Sequence, residues 1–357
     1  MKTYIKFISF IFFQSFFYVT LVMLSLIFIL NLLSELDFFK EINLGIDFTL
    51  LLSFLNSPSM LFEMFPFVFL ISTQLFFIKL FNNNELEVFK YSGLKNSSIL
   101  GIISVITFLM GILIIIIFYN FSANLKNFYL EKKSPYTNDG KYLAVITKNG
   151  LWIKDKIDEK IYIINSSKIE NHFLINNFIS VFNNKFDIIR NIQSEKIDIK
   201  EKKWKIFDAR IYDKNNYHIE KALNLDTNFD YKRIQTLYSD LSSLNVFQLF
   251  ELKDNYRKLN YSLTEVNLQL LKLLAYPVYL LLITIFSALI MLRIKRLNTI
   301  TIQISFGLFL SVLIYYINNF FLVMGSTERI SLIFAVLIPL MALTFINGLM
   351  ALRINEK

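Results

Sequence analysis

The chain has 357 residues, 55% of them hydrophobic and 38 of them Phe, with a mean hydropathy of +0.49. Soluble domains hold roughly 45–50% apolar residues, so this excess, gathered in long blocks, excludes an ordinary soluble enzyme. The absence of Cys excludes a disulfide scaffold, a thiolate metal site and a Cys nucleophile, and the formal charge of +9 matters through its distribution rather than its sum.

A membrane span needs about 20 mainly apolar residues. Six windows meet that length: roughly 8–33, 58–80, 98–120, 267–292, 299–322 and 330–352. The first is too long for a signal-peptide core and lacks a clear small-residue cleavage site, so it reads as a retained helix. Glu63, Lys79 and Lys272 are the charges within the windows. All three lie near an end, where long side chains reach the interface.

Basic residues in short connections set the orientation. Lys2, Lys6, Lys79, Lys90, Lys95, Arg293, Lys295, Arg296, Arg353 and Lys357 fall on one side. Lys40, Lys272 and Arg329 fall on the other. This asymmetry predicts cytoplasmic termini and puts residues 121–266 outside, between the third and fourth spans.

That insert carries 24 of the 37 basic and 19 of the 28 acidic residues. The signs are interleaved, as on a solvated surface, and a domain beyond the membrane is a poor nucleic-acid binder. Its first two thirds alternate with period two, as in YLAVIT from Tyr142, KIYIINS from Lys160 and WKIFDARIYD from Trp204. Such alternation predicts antiparallel strands with one buried face. Asn149-Gly150 and Asn183-Asn184 supply turn residues, and Asp240–Asn260 reads as one or two helices. Trp152 and Trp204 read as core residues of the sheet, with ligand stacking as the alternative. The insert could handle lipid, dock a protein, or merely cover the membrane domain.

The longest cytoplasmic connection contains NNNELEVFKYSGLK, residues 82–95. Asn84 is placed to cap a short helix with Glu87 as its capping-box partner. Glu85 and Glu87 complement the helix dipole. Leu86, Phe89 and Tyr91 offer apolar contacts, and Gly93 suits a left-handed stop. The segment is either a docking element or a connector with ordinary capping.

No GxxxxGK[ST] loop occurs, so ATP hydrolysis by that route is excluded. His172 and His218 stand in the insert without a catalytic context.

Together these residues resemble the lipopolysaccharide export permeases, the LptF/LptG family. The resemblance rests on six helices with a large insert after the third, and on Glu85-Leu86 followed by Ser92-Gly93. The run Asn149-Gly150-Leu151-Trp152-Ile153-Lys154-Asp155 is similar to the LptG type. Gln303-Ile304-Ser305-Phe306-Gly307, Pro277 and Pro339 also fall where the family has them.

The resemblance implies a fold of six transmembrane helices with an antiparallel, jellyroll-like β domain in the periplasm. The expected division is 1–120, 121–266 and 267–357, with a coupling helix at 82–95. It implies an inner-membrane half-permease with no cofactor of its own. ATP and Mg would be used by an LptB-type ATPase dimer, with an LptF-type second permease and LptC- and LptA-type bridge proteins as partners.

Glu85, Leu86, Phe89 and Gly93 would couple to the ATPase. Lys40, Lys126 and Phe306 would meet lipopolysaccharide, and Val145, Trp152 and Ile163 would line a groove in the sheet. One departure stands at the outer end of the first helix, where Asn31-Leu32-Leu33-Ser34-Glu35 replaces the basic residues usual in the LptG type. Two rival functions are a permease that transmits force without moving lipid and a membrane glycosyl transferase.

Overall fold

The computed structural model describes residues 3–40, 45–133, 136, 143–147, 150–157, 160–213, 216–231, 234, 241–258, 262–294 and 300–352. Side chains are not described at 143–147, 255, 258, 294, 300, 301, 303 and 306. The chain forms two compact units, Met1–Tyr129 with Asn267–Lys357, and Leu130–Val266.

The first unit is helical. Its elements are α1 (Thr3–Phe38), α2 (Ile46–Asn82), α3 (Glu85–Tyr91), α4 (Asn96–Lys133), α6 (Thr264–Ile294), α7 (Ile300–Ser326) and α8 (Leu332–Ala351). Six of these are long and apolar enough to cross a membrane. Several run past the expected windows. Residues 46–57, expected in a connection, are the first three turns of α2, and α4 continues past 120 to Lys133. Hydropathy marks only the hydrocarbon-facing part of a helix, and polar turns that extend it carry no such signal.

The spans of α2 and α6 are 72% buried, whereas the other four are between 11% and 28% buried. α2 and α6 are therefore the centre of the unit, and α1, α4, α7 and α8 surround them with apolar outer faces. Without a hydrophobic drive between helices in lipid, polar side chains and close backbone approach hold such a bundle together. Asn31 donates to the Ser53 carbonyl at 3.1 Å, Ser287 to Leu70 at 2.9 Å, and Asn347 to Leu282 at 2.9 Å. At Gly111 in α4, a Cβ would lie 2.9 Å from the Pro277 Cα of α6, so only glycine permits this approach. Just beyond it, Ile114–Tyr119 winds as a π-helix within α4.

The second unit is a seven-stranded antiparallel meander in which each strand pairs with its sequence neighbours. The strands are β1 (Leu143–Thr147), β2 (Gly150–Ile157), β3 (Lys160–Glu170), β4 (Phe173–Phe182), β5 (Ile188–Asp198), β6 (Lys203–Asp213) and β7 (Asn216–Asp226). The antiparallel β domain expected from alternation is present, and its up-and-down order lacks the Greek-key crossings of a jelly roll. Helix α5 (Val246–Lys258) follows it.

One face of the sheet is buried, but the alternation that puts residues there slips by one in the middle of four strands. Inward residues run Ile164, Ser166, then Ile169 in β3; Leu174, then Asn177 and Ile179 in β4; Ile192 and Ser194, then Ile197 in β5; and Ile206, then Ala209 in β6. Asn176 and Asp208, at two of these slips, have positive φ of 53° and 46°. The slips lie opposite one another, so pairing on either side keeps its register. They form one line of irregularity across the sheet, without the extra residue of a β-bulge.

Side chains replace ladder bonds there. Asn177 accepts from the Ser166 hydroxyl at 2.5 Å and donates to the Leu174 carbonyl at 2.9 Å, while Ser194 donates to the Phe207 carbonyl at 2.6 Å.

The segment after β7 closes one end of the sheet. Buried Asp155 of β2 accepts from the backbone and side-chain nitrogens of Asn228 at 3.0 and 2.8 Å. The Trp204 indole donates to the Phe229 carbonyl at 2.7 Å, so Trp204 is a core residue as expected. Residues 149, 240 and 259–260 of the expected turns and helix lie outside the described residues. In the turn after β4 the left-handed residue is Phe186, with φ of 62°, rather than an asparagine. Asn183 instead uses its side-chain oxygen to accept from the Lys185 and Asp187 amides.

Candidate functional site

The connecting helix α3 is fixed at both ends by backbone geometry. Asn84 was expected to cap it with its side chain, and it does not: it adopts φ 57° and ψ 17° with no side-chain capping bond. The physical reason is that Asn84 already serves as the left-handed residue that ends α2, its amide donating to the Phe81 carbonyl at 3.1 Å. One residue cannot take that conformation and also the extended one a capping box requires. Gly93 ends α3 at φ 81°. The Leu94 amide reaches the Phe89 carbonyl at 2.9 Å and the Gly93 amide reaches Lys90 at 3.0 Å, the paired bonds of a Schellman stop.

The side chains of α3 divide into two sets. Leu86 is buried, and the Phe89 ring meets Phe7 of α1 edge-on at 6.0 Å. These two expected docking residues therefore anchor the helix to its own bundle. The apolar residues turned outward are Val88, 60% exposed, and Tyr91, 90% exposed. Helical spacing identifies both, since residues three apart share a face, whereas the capping signals of this segment carry no information about Val88. Glu85 accepts from the Asn83 amide at 3.3 Å through one oxygen, and its other oxygen is buried with no hydrogen-bond partner among the described residues.

Inside the bundle a second feature was missed. Pro66 has no N–H to give the Phe62 carbonyl one turn earlier in α2. The Tyr276 hydroxyl of α6 donates to that carbonyl at 2.5 Å, and the two rings stack at 4.7 Å. Tyr119, at the end of the π-helical stretch, packs on Phe62 at 4.9 Å. At Gly307 of α7, a Cβ would overlap the amide of buried Gln74 from α2. Gly307 is thus where α7 lets a polar side chain of the central helix lie across it.

The candidate lipid contacts are more scattered. Lys40 is exposed just past α1 and Lys126 is half-buried on α4. The helix ends that carry them are joined by the Tyr129 hydroxyl, which donates to the buried Glu35 carboxylate at 2.7 Å. The Phe306 side chain lies outside the described residues.

In the sheet, Trp152 was expected in the core and is 43% exposed instead. It lies between Leu151 and Ile153, which take the buried positions of β2, so strand alternation turns it outward. Ile163 is half-buried and pairs with Lys154, which puts it on Trp152's face, and the Val145 backbone pairs with Trp152. The inward positions are held by Ile153, Ile164, Ile179, Ile192, Ile206 and Ile211, all almost fully buried. The interior is therefore filled by its own side chains, and Trp152 and Ile163 belong to the opposite face.

The family model for the lipopolysaccharide export system permease LptF/LptG matches residues 6–353. No curated protein matches the chain.

Proposed function

Since the chain belongs to the lipopolysaccharide export permease family LptF/LptG, it is a multi-pass inner-membrane transport subunit, and we propose that it forms one half of an ABC-type exporter of LptG type. An LptF-type permease would complete the membrane unit. An LptB-type ATPase dimer would bind below with ATP and Mg, and LptC- and LptA-type proteins would carry lipid onward. The termini and α3 would then be cytoplasmic, and the β unit periplasmic.

The observation that carries coupling is the division of α3. Leu86 is buried and Phe89 meets Phe7 of α1, while Val88 and Tyr91 face away with nothing to cover them among the described residues. An exposed aromatic beside an exposed aliphatic is the anchor pattern of an interface. A partner gripping that face would move the bundle through Leu86 and Phe89. Glu85, with one carboxylate oxygen unmatched, would reward a cation brought by the same partner.

Removing a lipid from the bilayer costs roughly 0.8 kcal/mol for each CH₂ exposed to water. Extraction therefore needs apolar cover along the route. The apolar outer faces of α1 and α7 would provide it in the membrane against the second permease. In the β unit, β1 and β7 are the sheet edges among the described residues, and acyl chains would enter at an edge.

The packed sheet interior favours a second reading, in which the β unit transmits force without admitting lipid. A photo-crosslinker at inward Ile192 and another at outward Trp152 separate the two in the assembled complex. ATP-dependent capture of lipopolysaccharide at Ile192 supports entry. Capture at neither site, with ATP turnover intact, supports force transmission.

A further inference from the structure

The helical unit contains a cavity of about 240 Å³ between α2, α6, α7 and α8, with mixed polar and apolar walls. It lies toward the end of the bundle at which α6 begins and α7 ends. Its polar lining is Glu63, Lys272, Tyr279, Tyr315, Asn318 and Asn319. Ionisable groups on a membrane-spanning bundle are costly unless matched, and these are not matched to one another; Glu63 is exposed and Lys272 half-buried. Neither Glu63 nor Lys272 forms an ion pair or hydrogen bond with another described residue. Tyr279 is 7% exposed, and its hydroxyl is buried with no hydrogen-bond partner among the described residues. Tyr276, beside it, is excluded as a free donor because its hydroxyl is committed to the Phe62 carbonyl.

The charges decide what fits. Near the membrane interface an exposed carboxylate and a half-buried ammonium are each stabilised by a counter-charge. A neutral sugar leaves both without one, and a simple anion satisfies Lys272 only. A ligand with an ammonium and a phosphate satisfies both. Tyr279, Asn318 and Asn319 would give additional hydrogen bonds to the phosphate, and the Tyr315 ring offers a face to the ammonium. The volume admits several waters, each about 30 Å³, or a compact head group in their place.

We propose that this cavity is a site for the head group of a zwitterionic aminoalkyl-phosphate lipid, held by Glu63 and Lys272. The site belongs to the membrane unit alone and requires neither ATP nor export, so it stands apart from the transport reading.

The test uses the assembled complex in nanodiscs made of equal parts phosphatidylethanolamine and phosphatidylglycerol, with retained lipids counted by native mass spectrometry. The expected result is preferential retention of phosphatidylethanolamine. Glu63→Gln and Lys272→Gln should each weaken it by at least about tenfold, the low end for losing a charge-assisted hydrogen bond. Tyr279→Phe, which removes a hydroxyl with no other partner among the described residues, should preserve the fold and weaken retention by about threefold.

Retention in the bulk ratio, or retention of both lipids that depends on Lys272 alone, would overturn the proposal. One-for-one displacement by added lipopolysaccharide would also overturn it, assigning the cavity to the substrate path.

Discussion

Tyr276 donates its hydroxyl at 2.5 Å to the carbonyl of Phe62, the backbone acceptor that Pro66 leaves without its helical donor. A proline in a central helix is tolerated because a neighbouring helix repairs the bond it breaks. The repair also joins α2 to α6 where both are buried. Tyr276→Phe keeps the ring and removes the donor, so it should lower stability by about 1–3 kcal/mol, the cost of an unsatisfied buried group. Thermal unfolding of the purified chain in detergent measures this, and an unchanged midpoint would refute the repair.

Gly93 holds φ at 81° with open space where a Cβ would stand. Gly93→Ala should therefore cost only the left-handed strain, about 1–2 kcal/mol, with no steric clash. Faster hydrogen exchange at the Leu94 amide, whose bond to Phe89 closes the helix, is the direct readout. Lipid-stimulated ATP turnover of the complex should fall with it.

The two tryptophans should report separately on the β unit. Trp204 is buried and bonded to Phe229, while Trp152 is exposed. Iodide should quench one emission component, and Trp152→Phe should abolish the quenchable part. Asp155→Ala strips the Asn228 nitrogens of their acceptor and should destabilise the unit by about 1–3 kcal/mol, seen as earlier loss of the Trp204 signal in urea.

Alkaline pH should loosen the same unit through Tyr256 of α5. Burial first, and the charge of Glu265 second, hold its phenol well above the ordinary value. Folding thus favours the protonated form. The stability it contributes is complete below the unfolded pKa of about 10 and is lost as pH rises beyond it. Tyr256→Phe should flatten the stability profile above pH 10, and a parallel decline in both proteins would contradict this assignment.

The sequence made the six spans, the antiparallel sheet and the left-handed Gly93 legible, because each depends on local composition or a single residue's conformational freedom. Burial face was less legible. Trp152 looks like a core residue by type, but alternation with Leu151 and Ile153 turns it outward. The line of slipped alternation is written in Asn165-Ser166-Ser167, Asn176-Asn177, Ser194-Glu195 and Asp208, polar residues that interrupt four apolar alternations. Each interruption looks like noise alone and becomes a feature only when pairing aligns all four. Asn84 shows the same limit, since its role at the end of α2 competes with its role at the start of α3. The Phe62–Tyr276 bond spans 214 positions, and no local pattern carries it.

The central claim, membership in an ATP-driven lipid exporter, is tested most directly by isolating the tagged chain from its native membrane and assaying bound proteins, ATPase activity and lipid together. The account predicts recovery of a second six-helix permease, a P-loop ATPase and lipopolysaccharide, with turnover that Glu85→Ala lowers while membrane insertion stays intact. Recovery of the chain with neither ATPase nor lipopolysaccharide, under conditions that preserve other membrane complexes, would contradict it.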